Sequence, residues 1–123
     1  MNKCFKYKYD QKNGIIYKDL IGKITVSDIL HSWEYAFDNK LIPHGINKFL
    51  VDIRSATLIY KNSEHTQISD FFKANLNFFG GSRIAIVTRH TSHLALPILV
   101  NRYEGYSVKP FSRIKSAREW VMM

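Results

Sequence analysis

Three groups of side chains have types and spacings that can do chemistry. The densest is Arg89-His90-Thr91-Ser92-His93, which follows an apolar strand-like run and opens a helical stretch. Free backbone N–H groups and the helix dipole favour an anion at such a place, and Arg89 adds fixed charge. His90 and His93, three apart, permit a metal reading. No carboxylate or cysteine lies near them in sequence, so no metal site is expected. The plainer reading is a solvated loop with Thr91 or Ser92 as helix cap. The second group is Asp52, Arg54 and Ser55, at the exit of the run Phe49-Leu50-Val51. Asp52 and Arg54 stand two apart, hence on one face of a strand, where they can pair with each other or hold a polar ligand. The third group, Lys3, Phe5, Lys6, Tyr7, Lys8, Tyr9, Lys12, Tyr17 and Lys18, interleaves cations with aromatics as single-strand nucleic-acid binders do. Its bland alternative has the aromatics facing a core and the lysines guarding an edge strand.

Much chemistry has no residues to carry it. Gly80-Gly81 precedes a strand rather than following one, so there is no phosphate-binding glycine loop, and no serine-hydrolase elbow is present. Asp52 lacks a convincing second acid or base in sequence. Cys4 is the only cysteine, which leaves neither an intrachain disulfide nor a cysteine-based zinc site. Neither a cofactor nor catalysis is expected.

The elements that must position these groups are legible from period. Cys4 to Tyr9 alternates, Gln11-Lys12-Asn13-Gly14 is a turn, and Ile15 to Ile21 is a second strand ended by Gly22, so the chain opens with a hairpin. Ser27 and Asp28 start a helix whose stripe is Ile29, Leu30, Trp33, Ala36 and Phe37. Asn39 to Asn47 is a loop, and Phe49–Ile53 is a strand buried on both faces. A connection over 54–62, free to stay partly extended, leads to a helix over 63–79, capped by Ser63 and stopped by Gly80-Gly81. Arg83 to Thr88 is a strand, Thr91 to Tyr103 a helix bent or delayed by Pro97, and Tyr106 to Phe111 a last strand. Ser112 caps a final helix. The order ββαβαβαβα predicts an α/β fold over residues 1–123 as one domain: an N-terminal β-hairpin, then βαβαβα in a mainly parallel, mixed sheet.

The 123 residues carry a formal charge of +8, concentrated in residues 1–23 and 102–123. Such a balance favours acidic partners. The apolar runs are of strand length and the first residues lack the apolar core of a signal peptide, so the expected location is the cytoplasm.

This element order, with the strand-exit segment FLVDIRSATL, the segment GGSRIAIVT and the helix SHLALPILVNRYEG, resembles the SpoIIAA-like group. These are the STAS domains, named for sulfate transporters and anti-sigma-factor antagonists, which include small stand-alone STAS/SEC14-like proteins. The resemblance implies a sheet with its helices largely on one side, and regulation or ligand sensing rather than catalysis. Anti-sigma-factor antagonists carry an Asp-Ser-Ser/Thr-Gly motif whose serine is phosphorylated by a partner kinase. The stretch Lys61-Asn62-Ser63-Glu64 keeps only the serine, which makes Ser63 the candidate phosphoacceptor; as a helix cap it would need no such role. The expected function is a non-enzymatic module that binds an anionic ligand or a protein partner at the strand ends, through Asp52, Arg54, Ser55, Arg89, His90, Thr91, Ser92 and His93. Self-association as a homodimer is also expected. The alternative is a basic nucleic-acid-binding module built on the N-terminal strands.

Overall fold

A computed structural model of the chain describes residues 3–64, 66–89, 102–103 and 105–123. Strand β1 (Cys4–Asp10) returns through a tight turn into β2 (Ile15–Thr25). The turn closes because Gly14 N–H donates to the Asp10 carbonyl at 2.8 Å with Gly14 at φ 68°, a left-handed conformation glycine adopts without strain. Helix α1 (Val26–Asp38) leads to β3 (Lys48–Ile59), and a single 3₁₀ turn (Asn62–Glu64) precedes α2 (Gln67–Ala74) and the short α3 (Leu76–Phe79). Strands β4 (Arg83–Val87), β5 (Arg102–Tyr103) and β6 (Tyr106–Phe111) follow, then α4 (Ile114–Met122).

The six strands lie in the order β1-β2-β3-β4-β6-β5. The central pairs β2/β3, β3/β4 and β4/β6 are parallel, and the two outer pairs β1/β2 and β5/β6 are antiparallel. The mainly parallel mixed sheet expected from the alternation of runs is therefore present.

Strand period divides the core in two. One face sets Ile16, Leu20, Ile24, Phe49, Val51, Ile53, Ile84 and Ile86 against α1, α2 and α3. Trp33, 2 % exposed, is its centre: its ring meets Phe49, Phe72 and Phe79 edge-on at 5.8, 6.2 and 5.2 Å. Such contacts add about 0.5–1.5 kcal/mol each beyond area burial. The other face packs Ile15, Leu50, Ala85 and Val87 against Ala117 and Val121 of α4. Arg83 fastens that helix, donating from Nη1 at 2.7 Å to the Trp120 carbonyl, which also accepts from the Met123 N–H at 3.3 Å. Helices therefore crowd one side of the sheet, and α4 alone of the described helices covers part of the other.

Several boundaries differ from expectation. Gly22 does not end β2. It continues in the ladder at φ 93°, paired with Ala56, just past a bulge. Helix α1 is capped by Thr25 rather than Ser27: Asp28 N–H donates to Thr25 Oγ1 at 3.0 Å, and the Asp28 carboxylate accepts from Thr25 N–H at 2.9 Å. The Thr25/Asp28 pair is a capping box, whose reciprocity outweighs a lone serine. The connection 54–62 is partly extended, as its reading allowed, and is strand as far as Ile59 because β3 stays paired with β2 to that residue. Ser63 caps no helix. It lies exposed in the 3₁₀ turn, α2 begins at Gln67, and the helical run breaks at Asn75, whose amide donates back to the Phe71 carbonyl at 2.8 Å. Ser112 gives no cap either, since Arg113 holds the cap position without a side-chain bond. Arg102–Tyr103 is strand rather than helix end, drawn into the sheet by pairing with Tyr106 and Ser107. The rest of the expected helix from Thr91 lies outside the described residues.

Candidate functional site

Parallel strands present their carboxyl ends together, and the sequence-chosen residues of β3 stand there. Asp19 of β2 is the register partner of Asp52, and the next matched pair is Ile21 with Ser55. Three steps along β3 thus match two along β2, and one extra residue is accommodated between Asp52 and Ser55. Bulges of this kind re-aim side chains. Here the Asp52 carboxylate accepts from Arg54 three times over: from the backbone N–H at 3.0 Å, from Nε at 3.0 Å and from Nη2 at 2.8 Å. The sequence reading that these two can pair is met by a forked guanidinium–carboxylate contact. The bulge keeps Ile53 in the core at 8 % exposure and returns Ala56, Leu58 and Tyr60 to the same apolar side.

Arg89 follows β4, one residue beyond Thr88. Its Nε donates to the Arg54 carbonyl at 2.9 Å. Two arginines from neighbouring strands therefore meet at one edge, with Ser55 exposed beside them. His90, Thr91, Ser92 and His93 lie outside the described residues. Ser63 lies beyond the end of β3, exposed and in a different turn.

Below Arg54 the same face holds a shallow groove of about 640 Å³, lined among others by Lys6, Lys8, Tyr17, Asp19, Asp52 and Ile114. Desolvation, and then the neighbouring Asp52 charge, raise the pKa of Asp19; Lys6 and Arg54 oppose this. The hydrogen bonds from Arg54 to Asp52 in turn hold its guanidinium more firmly protonated. The sequence reading missed Asp19 and grouped Lys6 with the N-terminal cations and aromatics rather than with Asp52. They become neighbours only through the hairpin register, in which Lys6 faces Asp19. Among the described residues no group of three or more His, Cys, Asp or Glu converges to hold a metal ion.

The N-terminal aromatics divide. Phe5 and Tyr7 pack against the core beneath α1, whereas Tyr9 is 40 % exposed. Lys6 and Lys8 point to the opposite, exposed face. One cation departs from that pattern. Lys18, on the apolar side between Ile16 and Leu20, is 1 % exposed. A lysine at a buried parity was the sequence signal for it, and the strand reading passed over it.

A mainly parallel sheet with antiparallel outer strands, helices gathered on one face and polar strand exits defines the SpoIIAA-like fold. A solved structure of an uncharacterised protein of the DUF3478 family from Shewanella loihica PV-4, itself described as SpoIIAA-like, superposes with a TM-score of 0.64 at 15 % identity. The match covers 98 % of this chain and 94 % of that one. No protein-family model matches the chain. No curated protein matches it either.

Proposed function

We propose that this chain is a non-enzymatic regulatory or ligand-sensing module that takes an anionic small molecule, or an acidic group of a protein partner, at the carboxyl edge of β3 and β4. One observation carries the reading: the Arg89 Nε contact to the Arg54 carbonyl, which brings two permanently charged side chains from adjacent strands to one edge. Arg54 is partly neutralised by Asp52, and Arg89 is exposed. A phosphate, sulfate or carboxylate suits that balance better than a cation, because arginine offers planar, forked donors to such groups. His90 and His93 would add charge that varies near neutral pH. Ser63 is the candidate phosphoacceptor of the same module, exposed as a kinase would require.

The test is titration of the protein with inorganic phosphate, followed by backbone amide shifts. Saturable shifts at Ser55 and Arg89 are expected, and Arg89→Glu should weaken them at least about tenfold without changing the far-ultraviolet spectrum. Shifts scattered over the surface lysines, and equal in the variant, would remove the site. The nucleic-acid alternative calls for exposed Phe5, Tyr7 and Tyr9 as stacking platforms. Only Tyr9 meets that requirement, so the anion reading is the better supported.

A further inference from the structure

On the opposite face from the arginine edge, the Lys18 amine is enclosed by aromatic rings. Nζ stands 3.6 Å from the Trp33 ring centre, 5.3 Å from that of Tyr7 and 5.6 Å from that of Phe5. Among the described residues its hydrogen bond is to Ser32 Oγ at 2.5 Å, and that hydroxyl in turn donates a hydrogen bond to the Ile29 carbonyl at 2.6 Å. No carboxylate forms an ion pair with it there. Burial without a counter-charge pushes its pKa well below the ordinary lysine value. An amine so placed keeps its lone pair to lower pH than an ordinary lysine does, which favours a nucleophilic role.

A cavity adjoins this cage. It measures about 420 Å³ and is lined by Phe5, Tyr7, Asp28, His31, Ser32 and Tyr35. Small-molecule sites span roughly 300–1,000 Å³ and are mostly apolar with a few polar groups, and this one fits that description. Phe5, Tyr7 and Ser32 belong to the lysine cage and to the cavity wall alike. Tyr7 stands between the amine and the cavity. It stands on the outermost strand, and its hydroxyl is held by donation to the Ser32 carbonyl at 2.5 Å. Reaching the amine from the cavity requires that contact to part.

We propose that Lys18 is a carbonyl-capturing amine, forming a reversible imine with a small aromatic or apolar aldehyde seated in the cavity between β1 and α1. The Nζ lone pair attacks the carbonyl carbon while the carbonyl oxygen gains a proton, giving a carbinolamine. Loss of that oxygen as water, with the second amine hydrogen, leaves the C=N bond. No oxidant or reductant takes part, and hydrolysis reverses the step. Around the amine stand Tyr7 from β1 and Ser32 and Trp33 from α1, with Asp28, His31 and Tyr35 on the cavity side. The Asp28 carboxylate accepts from Thr25 N–H at 2.9 Å and pairs with Lys3 at 3.0 Å, and forms no ion pair with the amine.

Salicylaldehyde is the probe, with cyanoborohydride to fix the imine and peptide mass mapping to locate it. In the intact folded chain at pH 7, Lys18 should be modified at least about tenfold faster than any other lysine. Its rate should fall less steeply from pH 9 to pH 7 than that of an ordinary lysine, which slows about tenfold per pH unit. Lys18→Met should abolish the fast modification while the remaining lysines react as before. Because the lysines of one molecule are compared with one another, the result does not depend on that variant folding. A Lys18 rate equal to or below the exposed lysines at pH 7 would overturn the proposal. So would fast modification seen only after unfolding in urea.

Discussion

A lysine inside an aromatic cage makes stability depend on pH in a direction that can be worked out. The unfolded chain keeps the lysine value of 10.5, while burial holds the folded amine well below it. Between those two limits the unfolded state binds the additional proton, so stability climbs as pH rises through the window and is lowest below it. Replacing Lys18 by Met fills similar volume without a charge to desolvate. We expect Lys18→Met to raise stability at pH 7 by on the order of 1 kcal/mol or more, as apolar replacement of buried charge can do. The gain should shrink toward pH 10. Urea unfolding at both pH values is the measurement, and an equal gain at each would mean packing, not charge, is responsible. Tyr7 acts in the opposite sense. Burial raises its hydroxyl to about 12. Its contribution is present below pH 10 and is lost as pH rises from 10 toward 12, so Tyr7→Phe should flatten the alkaline decline while losing about 1 kcal/mol at neutral pH.

Among the elements, the exit from α3 is under the tightest steric control. A side-chain carbon at Gly80 would lie 2.5 Å from the Leu76 carbonyl oxygen, which is backbone and already accepts from Gly80 N–H. Gly81 has open space around it but sits at φ 73°. The two adjacent glycines are thus required for different reasons. Gly80→Ala should cost about 1–3 kcal/mol through the clash, and Gly81→Ala about 1–2 kcal/mol through its left-handed backbone. Asparagine, which tolerates that conformation, should recover part of the loss at Gly81 and none at Gly80. Thermal melts of the four variants decide it. In α1, Thr25→Ala should remove about 1 kcal/mol by breaking the capping box, whereas Ser27→Ala should change little.

For the molecule as a whole, α4 shields part of the sheet face that bears it. The helix packs on Ile15, Leu50, Ala85 and Val87, and Lys6, Lys8, Asp19, Asp52 and Arg54 give that face a polar remainder, although Ile59 is 49 % exposed. Among the described residues a candidate pairing surface also lies on the helical side. There Tyr35 is 59 % exposed and Phe78, stacked on Phe37 at 3.8 Å, is 37 % exposed. If copies pair as the sequence suggests, light scattering at tens of micromolar should give twice the 14.4 kDa chain mass, and Phe78→Glu should halve it. A single-chain mass for the unaltered protein would dispose of self-association. The helical face tolerates far less change at its centre, where Trp33→Ala should cost about 3–5 kcal/mol.

What the sequence determined by itself is whatever local period and turn chemistry can encode. The opening hairpin follows from alternation around Asn13-Gly14, the Trp33 stripe from its helical spacing, and the parallel core from short apolar runs alternating with helices. The Asp52/Arg54 pairing was also legible, because strand geometry puts residues two apart on one face. Tertiary structure decided the rest, for reasons that concern partners distant in the chain. Thr25 rather than Ser27 caps α1 because β2 stays paired with β3 to the last residue before the helix. Arg102–Tyr103 became strand because β6 offered it a free edge. The meeting of Arg89 with Arg54 joins residues 35 positions apart. Lys6 comes to face Asp19, and Lys18 its aromatic cage, only through hairpin register and the seat of α1 on the sheet. Period tells which face a side chain takes, but not which side chains from other strands and helices will face it.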